Sequence, residues 1–250
     1  MILTIDHGPI RELRMNRPPV NALTRELLSA LRQAIEAAPG QGVRALILSG
    51  SPGRFSAGLD VPLLLGCDRS GIAELWRELY GLMRALACSC IPIAAAITGH
   101  APAGGTVLPL FCDWRVMAAG DFKMGLSEVQ VGIPLPPIIL AALRRLVGPR
   151  QAERLAVAGL LLSPSEAFEI HLIDQIAPPD EVVHRAQQWC ESLLALPAEA
   201  MTQTRSEART DLVALFESGL EAEMDKVIAA WWSPSTQATL QALVARLKKK

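Results

Sequence analysis

A chain of 250 residues, half of them hydrophobic and a fifth charged, holds enough apolar material for one well-packed globular domain with a small appendage. A formal net charge of −1 and only 4% aromatic residues argue against a basic, stacking platform for nucleic acid and against steering to an anionic membrane. Five widely spread cysteines, Cys67, Cys88, Cys90, Cys112 and Cys190, read as free thiols of a reducing compartment, the cytoplasm, rather than a disulfide framework. The first hundred residues then alternate strand and helix. "LTIDHGPIRELRMN" reads as a hairpin turning at Gly8-Pro9. Thr24 predicts the N-cap of a helix whose Leu27, Leu28, Leu31 and Ile35 share one face. "VRALILSG" has the apolar run of a strand buried on both faces. After the loop "SPGRFSAGLD" a long helix is expected through "IAELWRELYGLMRALA", then strands at "IPIAAAITG" and "WRVMAA". Ser163-Pro164-Ser165-Glu166 is a capping box with Pro at the first helical position, and "LIDQIAP" reads as a short strand. From Asp180 onward the pattern is helical, broken near Leu196-Pro197 and Ser233-Pro234. Leu240, Leu243, Val244 and Leu247 form a stripe that should dock on its own subunit or on another. This order implies an α/β core with helices covering the strands.

Two stretches invite misreading. No charged residue occurs from Ala85 to Cys112, long enough for hydropathy to suggest a membrane span. Pro92, Gly99, Pro102, Gly104, Gly105 and Pro109 would break such a helix repeatedly, so a buried strand, a glycine loop and a buried helix are expected instead, with no membrane insertion. The opening "MILTIDHGPI" lacks a basic segment and is interrupted by Asp6, unlike a signal or transit peptide. Cys88-Ser89-Cys90 has no His or second Cys pair at ligand spacing, so no metal is expected.

There is no Gly-x-Ser-x-Gly elbow, Walker loop, complete Gly-x-Gly-x-x-Gly or His-Glu-x-x-His. His7, His100, His171 and His184 are scattered, and His100 reads as a loop or buried polar histidine. Two glycine loops remain, "FSAGLD" and "HAPAGGTVLPL", each leading toward a helix. Small residues there let backbone N–H groups approach an oxyanion, or simply let the chain pack closely. Finally, Glu128 is the single carboxylate of the apolar run "GLSEVQVGI", where desolvating a charge is expensive.

The two loops together with Glu128 resemble the crotonase superfamily of acyl-coenzyme A enzymes. The resemblance rests on "NRPPVNALT", "FSAGLD", "GHAPAGGTVLPLFCDWRVMA", "GLSEVQVGIP" and "VGPRQAERLAVAGLLLSPSEAFEIHLIDQIAP", and so spans almost the whole chain. Within the superfamily the sequence is most similar to the Δ3,Δ2-enoyl-CoA isomerases (dodecenoyl-CoA isomerases) of fatty-acid oxidation. That resemblance implies an α/β, ClpP/crotonase-like spiral of ββα turns over residues 1–195. It implies a C-terminal helical region over 196–250 for docking and trimerisation, in trimers or pairs of trimers. It makes Ala57 and Gly104 the backbone donors of an oxyanion hole and Glu128 the catalytic carboxylate. Ala57, Gly58, Leu59, Asp60 and Val61 would lie along the acyl-CoA, with Ser127 beside the acyl chain. No cofactor is implied beyond the coenzyme A carried by the substrate.

The chemistry has its own logic. Moving a double bond from position 3 to position 2 requires removing a proton alpha to a thioester and returning one two carbons away. One carboxylate suffices, if apolar neighbours bring its pKa near working pH and fixed N–H donors hold the charge developing on the thioester oxygen. A superfamily hydratase uses a second glutamate at the position of Val107, and no acid occurs between Gly105 and Asp113, so isomerisation is preferred over hydration. Hydration, another acyl-CoA reaction and a silent acyl-CoA-binding scaffold are the rival readings. Asp60 reads as a helix-cap aspartate, Arg54 as either a phosphate contact or a solvated arginine, Lys248-Lys249-Lys250 as a frayed tail, and Trp231 and Trp232 as packing residues.

Overall fold

The computed structural model describes residues 1–217 and 219–247; the Lys248–Lys250 tail lies outside the described residues. Strands β1 (Ile2–His7) and β2 (Ile10–Met15) form the expected antiparallel hairpin, Ile2 opposite Met15 and His7 opposite Ile10. In α1 (Arg25–Ala37) the Thr24 hydroxyl accepts the Leu27 N–H at 3.3 Å, and Leu27, Leu28, Leu31 and Ile35 are buried. Three similar turns follow, each running from a long strand to a short strand to helix. The first is β3 (Ala45–Ser49), β4 (Gly53–Arg54), α2 (Val61–Leu64) and α3 (Arg69–Ala87). The second is β5 (Ile93–Ile97), β6 (Gly99–Pro102) and α4 (Gly104–Leu110). The third is β7 (Trp114–Ala118), β8 (Met124–Gly125), a 3-10 turn (Glu128–Val131) and α5 (Pro137–Ala158). After α6 (Pro164–Glu169), opened by the Ser163–Glu166 capping box, come β9 (Gln175–Ala177) and α7 (Val182–Leu194).

The long strands build a sheet in the order β1-β2-β3-β5-β7-β9, parallel except for the hairpin, and the short strands build a second, β4-β6-β8. The chain is therefore a spiral of ββα turns, as the resemblance implies. Side chains alternate across a strand, and both faces of the large sheet are covered. Leu46, Leu48, Ala95, Ile97 and Met117 enter the main core, while Ala45, Ile47, Ala94, Ala96 and Val116 pack beneath Ala186 and Cys190 of α7. The uncharged stretch 85–112 resolves into the end of α3, β5, β6 and α4. Among the described residues no helix is long and apolar enough to cross a membrane.

The remaining helices are α8 (Ala198–Ala208), α9 (Thr210–Ala214), α10 (Leu220–Trp231) and α11 (Pro234–Leu247). Leu212, Phe216, Val227, Ile228, Trp231 and Leu240 join the main core, with Trp232 packed partly buried against it. A polar clamp fixes the seam. Asp113 accepts from Arg205 Nε (2.8 Å) and Nη2 (2.9 Å) and from Arg209 Nη1 (3.0 Å). Arg209 Nη2 also donates to the carbonyls of Leu86, Ala87 and Phe111, so the buried charges are paired and hydrogen-bonded.

Candidate active site

The short sheet gathers the chemistry-bearing segments. Its strands run parallel, with Gly53 and Arg54 beside Gly99 and His100, and Ala101 and Pro102 beside Met124 and Gly125. Their C-terminal ends therefore open together, delivering the 55–60 loop, the start of α4 and the 3-10 turn that begins with Glu128. Glycine is a steric requirement at two of these points. Gly58 has φ +81°, and a Cβ there would stand 3.0 Å from Gly104 N. A Cβ on Gly104 would stand 2.9 Å from Leu23 Cδ1 and 3.2 Å from Gly58 Cα. The two glycine loops thus meet backbone to backbone.

The 20–23 segment laces the first loop in place: Ala57 N–H donates to Val20 O (3.0 Å), Leu23 N–H to Gly58 O (2.8 Å), and Asp60 N–H to Leu23 O (3.1 Å). This corrects the expectation that Ala57 is an oxyanion donor. Ala57 lines the cavity, but its N–H is engaged by the Val20 carbonyl. The amide left without an acceptor among the described residues is that of Leu59. Gly104 is the first residue of α4, so its N–H has no partner within the helix. Ala103 before it holds φ 50°, ψ −123°, a strained conformation for a residue with a Cβ.

Glu128 lines a cavity of about 580 Å³ together with Leu59 and Gly104. Its Oε2 is buried and has no hydrogen-bond partner among the described residues. Burial pushes its pKa from 4.5 up to about 7, opposed by a hydrogen bond from its own backbone N–H. A carboxyl so poised takes up and releases protons near neutrality. Ser127 lines the wall beside it. Val107, buried, also lines the wall. The other lining carboxylate, Asp60, is committed elsewhere: it accepts Leu63 N–H at 3.2 Å as the cap of α2 and pairs with Arg17 at 2.7 Å. Val61 also lines the cavity, whereas Gly58 sits behind the wall and gives its N–H to Ser56 Oγ (3.2 Å).

Much of the cavity lining is apolar, including Trp76 and Leu79 of α3, Ile139 of α5, and Leu243 and Leu247 of α11. The stripe on α11 therefore docks on its own chain. Sequence reasoning missed that it walls the cavity, and it missed Arg17 and the unpaired Leu59 amide. Arg54 is exposed and donates to the Gly53 carbonyl (3.0 Å). His100 accepts Lys123 N–H at 3.2 Å and lies edge-on to Phe122, away from the cavity lining.

Comparison with known proteins agrees with this geometry. The enoyl-CoA hydratase/isomerase family model matches residues 6–249. The mitochondrial enoyl-CoA delta isomerase 1 of Homo sapiens is 32% identical, covering 95% of this chain and 80% of that protein. A probable enoyl-CoA hydratase, echA17 of Mycobacterium avium, is 34% identical over 78% of this chain and 76% of its own length. The crystal structure of human mitochondrial delta3-delta2-enoyl-CoA isomerase superposes with a TM-score of 0.94 at 31% identity, covering 99% of this chain and 98% of that one. With nearly every residue matched in sequence and in space, the chain belongs to the enoyl-CoA hydratase/isomerase family.

Proposed function

We propose that this chain is a Δ3,Δ2-enoyl-CoA isomerase, converting 3-cis- or 3-trans-enoyl-CoA to 2-trans-enoyl-CoA. One observation carries the reading: the cavity offers one uncommitted carboxyl, Glu128, in a lining it shares with the free amides of Leu59 and Gly104, and Val107 lines it where the resemblance expects a hydratase's second acid. The ionised carboxylate takes a proton from C2 of the bound thioester. The electrons move into a dienolate whose oxygen accepts from the Leu59 and Gly104 N–H groups, donors that are already fixed and need no reorganisation as charge develops. The carboxylic acid thus formed returns the proton to C4, and the double bond settles between C2 and C3. No electron is gained or lost overall, so the proposed reaction needs no redox cofactor.

The residues 57, 59, 60, 61 and 127 would flank the acyl-CoA, and the apolar part of the lining would take the acyl tail. Residues 1–195 serve in this reading as the catalytic core and 196–250 as the region for docking and for trimer or hexamer assembly, in fatty-acid oxidation. Five unpaired thiols support the reducing cytoplasm as its place. Relatives named as hydratases favour a second reading, addition of water to 2-enoyl-CoA, which lacks its second acid here. Separate incubation with 3-enoyl-CoA and 2-enoyl-CoA decides between them. Isomerisation yields 2-enoyl-CoA from the first substrate, whereas 3-hydroxyacyl-CoA from the second, without isomerisation of the first, would overturn the proposal.

A further inference from the structure

A base and an oxyanion hole cooperate only if their separation is held, and here they lie on different turns of the spiral. Gly104 opens α4 after β6, while Glu128 follows β8 by three residues. The β6–β8 ladder is short, with only Ala101 opposite Met124 and Pro102 opposite Gly125, and Pro102 has no N–H to contribute. The missing restraint comes from a side chain. Thr106, fully buried on α4 two residues beyond Gly104, donates its hydroxyl to the Ala101 carbonyl (2.5 Å) and accepts the Gly125 N–H (2.7 Å). The Ala103 N–H donates to the Gly125 carbonyl at 2.7 Å. One hydroxyl thus ties the helix bearing the oxyanion amide, the strand before it and the segment leading to the base.

Gly125 is itself confined. Its φ is +148°, and a Cβ there would stand 2.2 Å from the Leu160 carbonyl, so the segment enters the 3-10 turn along a single course. A void of about 10 Å³ beside Thr106 and Gly125 is at the bottom of the range a water needs, so solvent is a poor replacement for the hydroxyl.

The geometry points to Thr106 as a positioning residue that sets the distance between the Glu128 carboxyl and the Gly104 amide. It touches no substrate and acts through those two groups. The inference rests on the isomerase reading for its turnover assay but not for its second readout. Thr106→Val keeps the side-chain shape and deletes the hydroxyl; Thr106→Ser keeps the hydroxyl and deletes the methyl. Misplacement on the order of 1 Å costs about 100-fold in rate, so Thr106→Val should lower kcat about 10- to 100-fold while KM moves less than about threefold. Thr106→Ser should stay within about threefold of the parent in both.

The second readout is acetoacetyl-CoA, a 3-ketoacyl thioester whose enolate has its own near-ultraviolet band. Enolising it requires the base and the oxyanion donors at the correct separation, whatever the natural substrate. At saturation the enolate fraction should fall in Thr106→Val and recover in Thr106→Ser, with all three proteins confirmed folded by thermal melting. Full kcat and an undiminished enolate band in Thr106→Val would overturn the inference. Equal losses in both variants, tracking melting temperature, would also overturn it, reducing Thr106 to a packing residue. If the parent fails to isomerise 3-enoyl-CoA, the proposed function falls, while the enolate band of the three proteins still decides the role of Thr106.

Discussion

Glu128→Gln should stabilise the protein at alkaline pH while abolishing isomerisation. Burial raises the carboxyl pKa from 4.5 to about 7, and each unit is worth about 1.4 kcal/mol between protonation states. Below pH 4.5 both the folded and the unfolded chain hold the proton, and burial carries no ionisation penalty. Between pH 4.5 and about 7 the unfolded chain releases it first, so roughly 3 kcal/mol of stability is lost by the time the folded form ionises. Glutamine never ionises and escapes that loss, though its amide, buried without a partner, costs about 1–2 kcal/mol. The net expectation at pH 8 is a gain of about 1–2 kcal/mol, or roughly 2–8 °C in melting temperature for a chain of this size. That advantage should vanish at pH 4.5. Thermal melts of the parent and the variant at the two pH values measure it. An equal difference at both, or a variant less stable at pH 8, would refute the claim that Glu128 is held in a desolvating site.

The same carboxyl must be ionised to act as a base, so kcat/KM for 3-enoyl-CoA should rise with pH to a plateau, with its midpoint near about 7; a midpoint in the ordinary carboxylate range would show a solvated Glu128. Leu243→Trp should narrow the cavity at its apolar lining and shift preference toward shorter acyl chains, read as kcat/KM across a chain-length series. Asp113→Ala would leave the Arg205 and Arg209 guanidinium groups buried without their counter-ion, an expected loss of about 3–5 kcal/mol in urea unfolding.

Elements were legible in the sequence where they bury a periodic face. Thr24 with Leu27, Leu28, Leu31 and Ile35 marked α1, and the β-branched and aliphatic run 45–49 marked a strand covered on both sides. The short strands β4, β6 and β8 were not legible from pattern, because two to four residues carry no period and exist through their partners; the spiral was accessible only through family resemblance. Glu128 stood out because a lone acid in an apolar run needs a reason. The unpaired amide of the first loop did not. Which amide of "SAGLD" is free depends on the turn at Gly58 and on the carbonyls of residues 20–23 facing it, and residue identity does not encode that direction. Likewise the stripe on α11 showed that the helix docks, but only tertiary packing shows that Leu243 and Leu247 line the cavity.

The central claim is that one carboxyl moves the proton from C2 to C4. A 3-enoyl-CoA carrying deuterium at C2, turned over once in ordinary water, tests it most directly. A single dry shuttle predicts a measurable fraction of the deuterium at C4 of the 2-enoyl product, delivered to the face from which it was taken. Complete loss of the label to solvent, with a proton added at C4 from the opposite face, would require a second acid and contradict the account.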